Sequence, residues 1–327
     1  MSQRIGIASL GESWEQALEF FLLFKQSQGL SERTLDDYRD HVPRFFKLTG
    51  ANLADAKELR LAVMRYFAAS ASLAPATFNT RRKELKSFFG WTISEGVISS
   101  DPMVGIKARR EDDVPRSVEE DVIRRLLDLP DKKTFAGTRD YALLVLSMDT
   151  GIRPKEALGL RPRDFDFTNL MVTIPAGIAK TRVTRILPIG PVTADTVRRL
   201  LLTRHPARAA DAPVFCNQDG RPFCRNSWDR RVRKYSKQLG VKVRPYDLRH
   251  SFALYYLRHG GNAFGLQKTL GHTTMTMTRR YVALTMQDLK EQHAMASPIN
   301  TLIPKTHRMR KVKRSTIRAG DGLSDDE

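Results

Sequence analysis

The sequence predicts a mainly α-helical protein with a small antiparallel β-sheet, built as an all-helical N-terminal domain followed by a larger mixed domain. Apolar residues recur at helical spacing through residues 13–104, whereas β-branched residues gather in two short segments after residue 163. Residues 107–116, which lie between these regions, are charged and nearly devoid of apolar side chains. A chain of 327 residues is also longer than most single domains, so two domains are expected.

The N-terminal domain, residues 1–106, is predicted to contain four helices. Ser13 has capping-box spacing to Gln16 at the start of the first helix, and Ser31 can cap the second. Pro75 is well placed to open the fourth helix. The third and fourth helices are expected to cover about 57–69 and 75–95.

A linker is predicted at 107–116 and a mixed domain at 117–298, with Ser117 and Glu120 as a second capping box. Its first long helix, RDYALLVLSMDTG, is apolar, and the segments DFDFTNLMVTIP and TRVTRILPI have the composition of antiparallel strands. Further helices are expected at about 193–203, 227–238, 247–259, 262–269 and 276–282. The last residues, 299–327, are basic and then acidic, which predicts a flexible tail.

The composition points to a polyanionic partner. The formal net charge is +19, and such a surplus of Lys and Arg favours nucleic acid because neutralised phosphates release counterions. An anionic membrane surface competes as a partner, but the sequence has no long apolar run and no signal-peptide core. Cys216 and Cys224 form no CxxC or Cys/His cluster, which predicts free thiols in a reducing interior. We therefore expect a cytoplasmic, nucleoid-associated protein with no membrane partner.

Three segments of the mixed domain carry candidate chemistry. TGIRPKEALGL places Arg153 at a helix start, RPYDLRHSFALYYL places Arg249 and His250 early in a helix, and LGHTTMTMTRRY supplies His272 and Tyr281. Each segment alone has an ordinary interpretation: a surface arginine, a structural Arg-His pair, and a core or surface tyrosine. Their order along the chain makes a functional interpretation more specific than any one segment does.

These ordered segments closely resemble the tyrosine recombinases, the phage-integrase superfamily, and the resemblance covers nearly the whole chain. It implies a helical core-binding domain followed by a catalytic domain. It also implies that Tyr281 attacks a scissile DNA phosphate, forms a 3′-phosphotyrosyl link and releases a 5′-hydroxyl. The link conserves the phosphodiester energy, so the resemblance implies no ATP, metal or other cofactor.

The resemblance assigns roles to further residues. Arg153 and Arg249 match the two family arginines, whose permanent charge suits a phosphorane-like transition state, and His272 matches the histidine that hydrogen-bonds the same phosphate. Lys180, in the turn IPAGIAKTRVTRILPI, matches the lysine that protonates the leaving oxygen. Glu156 is expected to orient its neighbours.

One position departs from the family pattern. Tyr246 stands where the family usually has a histidine, three residues before the second arginine. A phenol can donate a hydrogen bond to phosphate, but it is a weak proton acceptor at neutral pH. The pattern therefore puts a general-base role at this position in doubt, while the other assignments stand.

Other protein classes explain less of the sequence. A two-metal nuclease or transposase needs clustered carboxylates, and Asp164 and Asp166 look instead like a turn leading into a strand. A non-catalytic helix-turn-helix regulator leaves the ordered arginines, histidine and tyrosine unexplained. A type IB topoisomerase shares the chemistry, but the N-terminal helices and the spacing from His272 to Tyr281 favour a recombinase.

The resemblance also implies partners. Double-stranded DNA recombination sites and a homotetramer assembled on two such sites are expected, with monomers or dimers away from DNA. The segment 285–299 is amphipathic and is expected to pass between protomers, with Met286, Leu289 and Met295 as apolar anchors. A helix folded back on its own domain is the alternative.

Overall fold

A computed structural model describes residues 13–111, 116–204, 212–282 and 286–303, except for the side chains of 286–288 and 291–292. By their internal contacts the residues separate into two compact units, Met1–Asp113 and Val114–Glu327. The division falls inside the charged stretch that the sequence marks as a linker. The predicted fold class is confirmed: the described residues are mostly helical, with one three-stranded antiparallel sheet.

The N-terminal unit is a bundle of four helices. Ser13 caps α1 by accepting a hydrogen bond from the backbone N–H of Gln16, and Asp55 caps α3 in the same way. The helix α2 begins after Ser31, although this serine makes no side-chain cap bond. The bounds are α1 Trp14–Ser27, α2 Glu32–Thr49, α3 Ala56–Ala69 and α4 Pro75–Ser94.

Aromatic side chains fill the centre of this bundle. Phe21, Phe45, Phe88 and Phe89 are each fully buried. Phe21 meets Phe88 edge-to-face with ring centroids 5.5 Å apart, and Phe45 meets Phe89 in the same manner at 5.7 Å. Edge-to-face packing sets the positive ring edge against the negative face, so these pairs add a directional attraction to the hydrophobic burial.

The start of the charged stretch 107–116 belongs structurally to the N-terminal unit. The guanidinium of Arg109 lies over the ring of Phe78 at 3.7 Å and donates to the carbonyl of Ala71. Asn79 of α4 also exchanges hydrogen bonds with the backbone of Arg109. This description covers 107–111; residues 112–115 lie outside the described residues, and residue 116 belongs to the second unit.

The second unit surrounds its sheet with helices. The apolar helix α6 supplies many of the most deeply buried side chains, among them Leu143, Leu144 and Leu146. The sheet has the order β1-β2-β3, with Phe165 opposite Val172 and Val172 opposite Leu187. The bounds are α5 Glu120–Asp128, α6 Phe135–Thr150, α7 Pro154–Gly159, β1 Phe165–Asp166, β2 Met171–Ile174, β3 Arg185–Pro188, α8 Pro191–Leu202, α9 Arg225–Leu239, α10 Pro245–Arg258, α11 Ala263–Leu270, α12 Met275–Arg279, α13 Met286–Ala296 and α14 Ile299–Leu302.

Three local expectations differ from the structure. The second capping box is wrong: α5 is capped at Glu119, without a side-chain cap bond. The helix expected at 276–282 ends at Arg279, because Tyr281 instead packs inward as part of a turn. The expected tail from residue 299 begins with one helical turn, α14, while 304–327 lie outside the described residues.

Candidate active site

The corner between α6 and α7 holds the first arginine. Gly151 ends α6 with φ of +60°, and an added Cβ would lie 2.2 Å from the ring of Phe252, so a side chain fits neither the backbone nor the space. Pro154 then opens α7, and Arg153 immediately precedes it. The corner therefore fixes the backbone of Arg153 against the neighbouring helix α10.

The helix α10 supplies the second arginine. Pro245 stands at its first turn, and the Asp247 carboxylate accepts the backbone N–H of Arg244 at 2.9 Å, which anchors the helix start. Arg249 follows and is 3% exposed. Its Nη1 donates to the Gly151 carbonyl at 2.6 Å and its Nη2 to the Leu270 carbonyl at 2.8 Å. Backbone carbonyls thus hold the guanidinium in one orientation.

The turns around α11 and α12 bring in the histidine and the tyrosine. Gly271 ends α11 in the left-handed region, and its carbonyl accepts from Nη2 of Arg153 at 3.2 Å. The next residue, His272, lies with Nε2 at 3.2 Å from Nη2 of Arg249 and Nδ1 at 2.9 Å from Oγ1 of Thr278. Both nitrogens of the His272 ring therefore have partners.

Tyr281 lies in the same cluster and is 6% exposed. Its ring is nearly parallel to that of His272, with centroids 6.4 Å apart, and it packs against buried apolar residues of α10 and α11. The Tyr281 hydroxyl lies 2.7 Å from Nδ1 of His250. The structure thus joins Arg153, Arg249, His272 and Tyr281 in one site through direct or shared contacts.

Glu156 connects this site to the sheet. Its carboxylate is 1% exposed, pairs with Arg153 at 3.1 Å and binds Arg185 of β3. It also accepts the backbone N–H of Lys180 at 3.1 Å. The carboxylate therefore positions one arginine and the turn that bears Lys180, whose side chain is exposed.

The electrostatics of the site favour binding an anion. Burial, together with the charge of nearby Arg153, lowers the pKa of Arg249 to about 10, so its guanidinium stays charged at neutral pH. Burial opposes ionisation of Glu156, but the hydrogen bond and charge of Arg185 outweigh it and the pKa of the carboxyl is lowered. Burial and then Arg249 lower the pKa of His272 to about 4. The site thus places the guanidinium groups of Arg153 and Arg249 near each other, and the Glu156 carboxylate pairs with the first of them.

Tyr246 takes a more open position than the other aromatic site residue. It lies in the first turn of α10, is 40% exposed, and has its ring centroid 6.2 Å from that of His250. Tyr246 therefore forms part of the open wall of the site.

Asp164 and Asp166, the carboxylates that a two-metal nuclease would need, bind the backbone of nearby turns instead. Asp164 accepts the backbone N–H of Arg161 at 2.7 Å, and Asp166 accepts that of Asn169 at 2.9 Å, so both stabilise turns beside β1. Among the described residues, no group of three His, Cys, Asp or Glu side chains is arranged to hold a metal ion.

Within the same residues, no helix is both long enough and apolar enough to cross a membrane. Cys216 is a buried free thiol and Cys224 an exposed one.

The residues of this site all lie in a segment that matches a known protein family. Residues 116–288, more than half of the chain, match the phage integrase family. The chain belongs to the phage integrase family. The tyrosine recombinase XerD of Ralstonia nicotianae is 30% identical over 280 residues, which cover 83% of this chain and 90% of that protein. The tyrosine recombinase XerC of Thermodesulfovibrio yellowstonii is 27% identical over 290 residues, covering 84% of this chain and 94% of that protein.

Solved structures agree on the fold. The crystal structure of the XerH site-specific recombinase bound to a palindromic difH substrate aligns with a TM-score of 0.66 at 20% identity, over 86% of this chain and 84% of that one. The resemblance predicted from the sequence is confirmed, and the protein is a tyrosine recombinase that acts in site-specific DNA recombination. Its mostly helical second unit with a small antiparallel sheet matches the fold of that solved recombinase.

The sequence interpretation missed two parts of the site. It treated His250 as structural, yet the ring contacts the Tyr281 hydroxyl. It also left out Thr278, which is fully buried against His272. The available signal was Tyr246. Where the expected histidine is missing, the histidine one turn further along the same helix, His250, becomes a candidate for a role in the site.

Proposed function

We propose that Tyr281 is the nucleophile of this recombinase and that Arg153, Arg249 and His272 bind the scissile phosphate. Tyr281 attacks the phosphorus, a 3′-phosphotyrosyl bond forms, and the bond to the 5′-oxygen breaks. The observation that carries the proposal is the convergence of these four side chains, from four separate elements, on one buried site. A second DNA strand then attacks the phosphotyrosyl bond and completes the exchange.

The arginines supply the charge that the transition state requires. Each guanidinium can present two N–H groups to phosphate oxygens, and carbonyls or Glu156 already hold them in place, so little reorganisation accompanies binding. Preorganised donors of this kind typically contribute about 10²–10³ in rate each. Because the positive charge comes from the protein, we expect strand cleavage to proceed in EDTA and without a nucleotide.

Lys180 and Tyr246 have supporting roles in this proposal. Lys180 gives a proton to the leaving 5′-oxygen, a role favoured by its place in the turn that Glu156 fixes and by the exposure of its side chain. Tyr246 donates a hydrogen bond to the phosphate from the open side of the site. Glu156 acts through the groups that it holds and is a positioning residue.

A covalent-adduct assay tests the nucleophile. A random duplex library is first enriched for sequences that bind the Tyr281→Phe protein. The enriched duplex is then nicked at successive positions, so that strand cleavage next to a nick releases a short fragment that diffuses away and traps the covalent adduct. The wild-type protein should yield a protein–DNA adduct on a denaturing gel in EDTA, and Tyr281→Phe should bind the same duplex without forming any. Tyr255→Phe is the matched control. It removes the hydroxyl of a different tyrosine, one that lies in α10 and donates to the Val118 carbonyl. An adduct with Tyr281→Phe rules out this nucleophile.

We also propose that four copies assemble on two DNA sites and that both units of each copy contact the DNA. The strong positive charge of the chain supports a large phosphate contact. Leu289 and Met295 of α13 are 46% and 65% exposed, so α13 presents apolar side chains that a neighbouring protomer can cover. The side chain of Met286, the third predicted anchor, lies outside the described residues.

Deletion of the chain from residue 285 tests the assembly. The shortened protein keeps Tyr281 and should still bind one DNA site, but it should no longer pair two sites, because the exchanged helix is missing. Gel mobility of one-site and two-site complexes, with cross-linking to count protomers, makes the measurement. Tetramers of the shortened protein on two sites contradict the exchange.

A further inference from the structure

His250 contacts the nucleophile directly. Its Nδ1 lies 2.7 Å from the Tyr281 hydroxyl oxygen, and the two ring centroids are 5.8 Å apart. It follows Arg249 in α10, so the helix that presents a guanidinium to the phosphate also presents an imidazole to the phenol. The contact is therefore built into a rigid element of the fold.

The other candidate bases are engaged or unsuited. His272 has one ring nitrogen against Arg249 and the other against Thr278. The Glu156 carboxylate is held by Arg153 and Arg185. Tyr246, at the position where the resemblance leads one to expect a histidine, has a phenol that accepts protons poorly at neutral pH.

The surroundings keep the His250 ring neutral in the DNA-free protein. Burial and then the charges of Arg280 and Arg249 lower the pKa of His250 to about 4. A neutral imidazole has one accepting nitrogen, and accepting at Nδ1 places the ring proton on Nε2. Burial meanwhile raises the pKa of Tyr281, although Arg249 and Arg280 oppose the rise, so the phenol stays protonated at neutral pH. The titratable and charged groups around this pair are Tyr246 and Arg249 of α10, His272 before α12, Arg280 after it, and Arg153.

We propose that His250 is the general base that takes the proton from the Tyr281 hydroxyl as its oxygen attacks the scissile phosphorus. This inference rests on the proposed function. The Oη–H bond of Tyr281 breaks and the Oη–P bond forms, while the bond from phosphorus to the 5′-oxygen breaks and that oxygen takes a proton from Lys180. His250 keeps the transferred proton until religation, when the 5′-hydroxyl attacks, its proton returns to Lys180, and His250 gives its proton back to the departing tyrosine oxygen. No proton is consumed over the cycle.

DNA binding itself adjusts the base. The scissile phosphate brings negative charge beside the His250 imidazole and offsets the repulsion from Arg249 and Arg280. The pKa of His250 therefore rises toward neutral pH when DNA binds. A base is most effective when its pKa lies near the working pH. His250 is therefore inactive as a base for protons in solution and becomes effective where substrate is bound.

The rate of adduct formation on the nicked, library-enriched duplex tests the proposal. His250→Asn puts an amide near the position of Nδ1, which keeps a polar contact but cannot carry the proton. At about pH 7 it should form adduct at least about a hundredfold more slowly than wild type with unchanged DNA affinity. Its rate should then rise by about tenfold per pH unit as hydroxide deprotonates Tyr281, while the wild-type rate stays nearly level. A deficit that is the same at every pH, or a rate within roughly threefold of wild type, overturns the assignment.

Two further arms separate a base from a structural residue. Imidazole in solution should restore adduct formation by His250→Ala, in proportion to its unprotonated fraction; absence of rescue overturns the proposal. A substrate with sulfur in place of the leaving 5′-oxygen needs no proton at that atom, so it should rescue Lys180→Ala but leave His250→Asn slow. Equal rescue of both variants overturns the proposal. His259→Asn, an exposed histidine at the end of α10, is the matched control and should react like wild type.

The same experiment distinguishes the two levels of inference. If the wild-type protein forms no adduct on any nicked duplex, the proposed function fails. If wild type reacts and His250→Asn reacts equally well, the nucleophile stands and the base assignment alone fails.

Discussion

The two units of this recombinase bury different kinds of side chain. In the N-terminal unit the most completely buried large groups are aromatic, such as Phe21, Phe45 and Phe88. In the catalytic unit, Arg153, Glu156 and Arg249 are buried almost as deeply, at 8%, 1% and 3% exposure. The N-terminal core is mainly aromatic and aliphatic, with Glu84 as a buried charged exception, whereas the other core contains an ionic network next to its apolar cluster.

The difference indicates that the two cores contribute differently to stability and to phosphate binding. Burial of apolar surface stabilises a fold by roughly 25 cal/mol per Å², so the aromatic core contributes mainly to stability. Buried charges lose hydration, and their pairing often does no more than offset that loss. The ionic network is therefore weak support for the fold, but it holds two guanidinium groups rigidly where a phosphate can bind.

The largest effect is expected in the aromatic core. Phe88→Ala leaves a cavity and should lower the free energy of unfolding of the N-terminal unit by about 3–5 kcal/mol. Hydrogen exchange of the full chain, followed by mass spectrometry, should show lost protection in α1–α4 and unchanged protection in α6. Phe20→Ala is the control because Phe20 is 42% exposed, and it should change little. Equal losses in both units mean that they unfold together.

In the ionic network the expected loss is one of rate. Arg249→Ala should slow adduct formation by at least about a hundredfold, because it removes a preorganised charged donor to the phosphate. Single-turnover rates on the nicked duplex measure this, and hydrogen exchange should show the catalytic unit still folded. Arg124→Ala removes an exposed guanidinium paired with Glu120 and should react at nearly the wild-type rate. Unfolding of the unit by Arg249→Ala would show that the network is structural.

The smallest effect is expected at the open wall of the site. Tyr246→Phe removes one neutral hydrogen bond, typically worth about 0.5–1.5 kcal/mol, which is roughly a threefold to tenfold change in rate. Tyr246→His should be tolerated, since imidazole also donates to phosphate. The same single-turnover assay applies, at one pH, beside Arg249→Ala. A loss for Tyr246→Phe as large as that for Arg249→Ala contradicts a supporting role.

Much of the fold follows from local signals in the sequence. Ser13 and Pro75 mark helix starts because a side-chain cap and a fixed φ act within one turn. Gly151 marks a helix end because φ of +60° favours glycine. Where the local signal was weak it failed: Ser117 does not cap α5, because the preceding chain is held instead by a bond from the Val118 backbone to Ser251, far away in sequence.

The sequence by itself determined the family, the fold class and the order of the residues proposed for catalysis, since these depend on short motifs and helical periodicity. Only the tertiary structure decided that Arg109 belongs to the N-terminal unit and that His250 faces Tyr281. Both contacts join residues about thirty apart in sequence, and both side chains have ordinary alternatives in solvent or in a core. Which alternative holds depends on packing between separate segments, the Arg109 segment against α4 and α10 against the turn after α12. The helical periodicity within each segment carries no information about that packing.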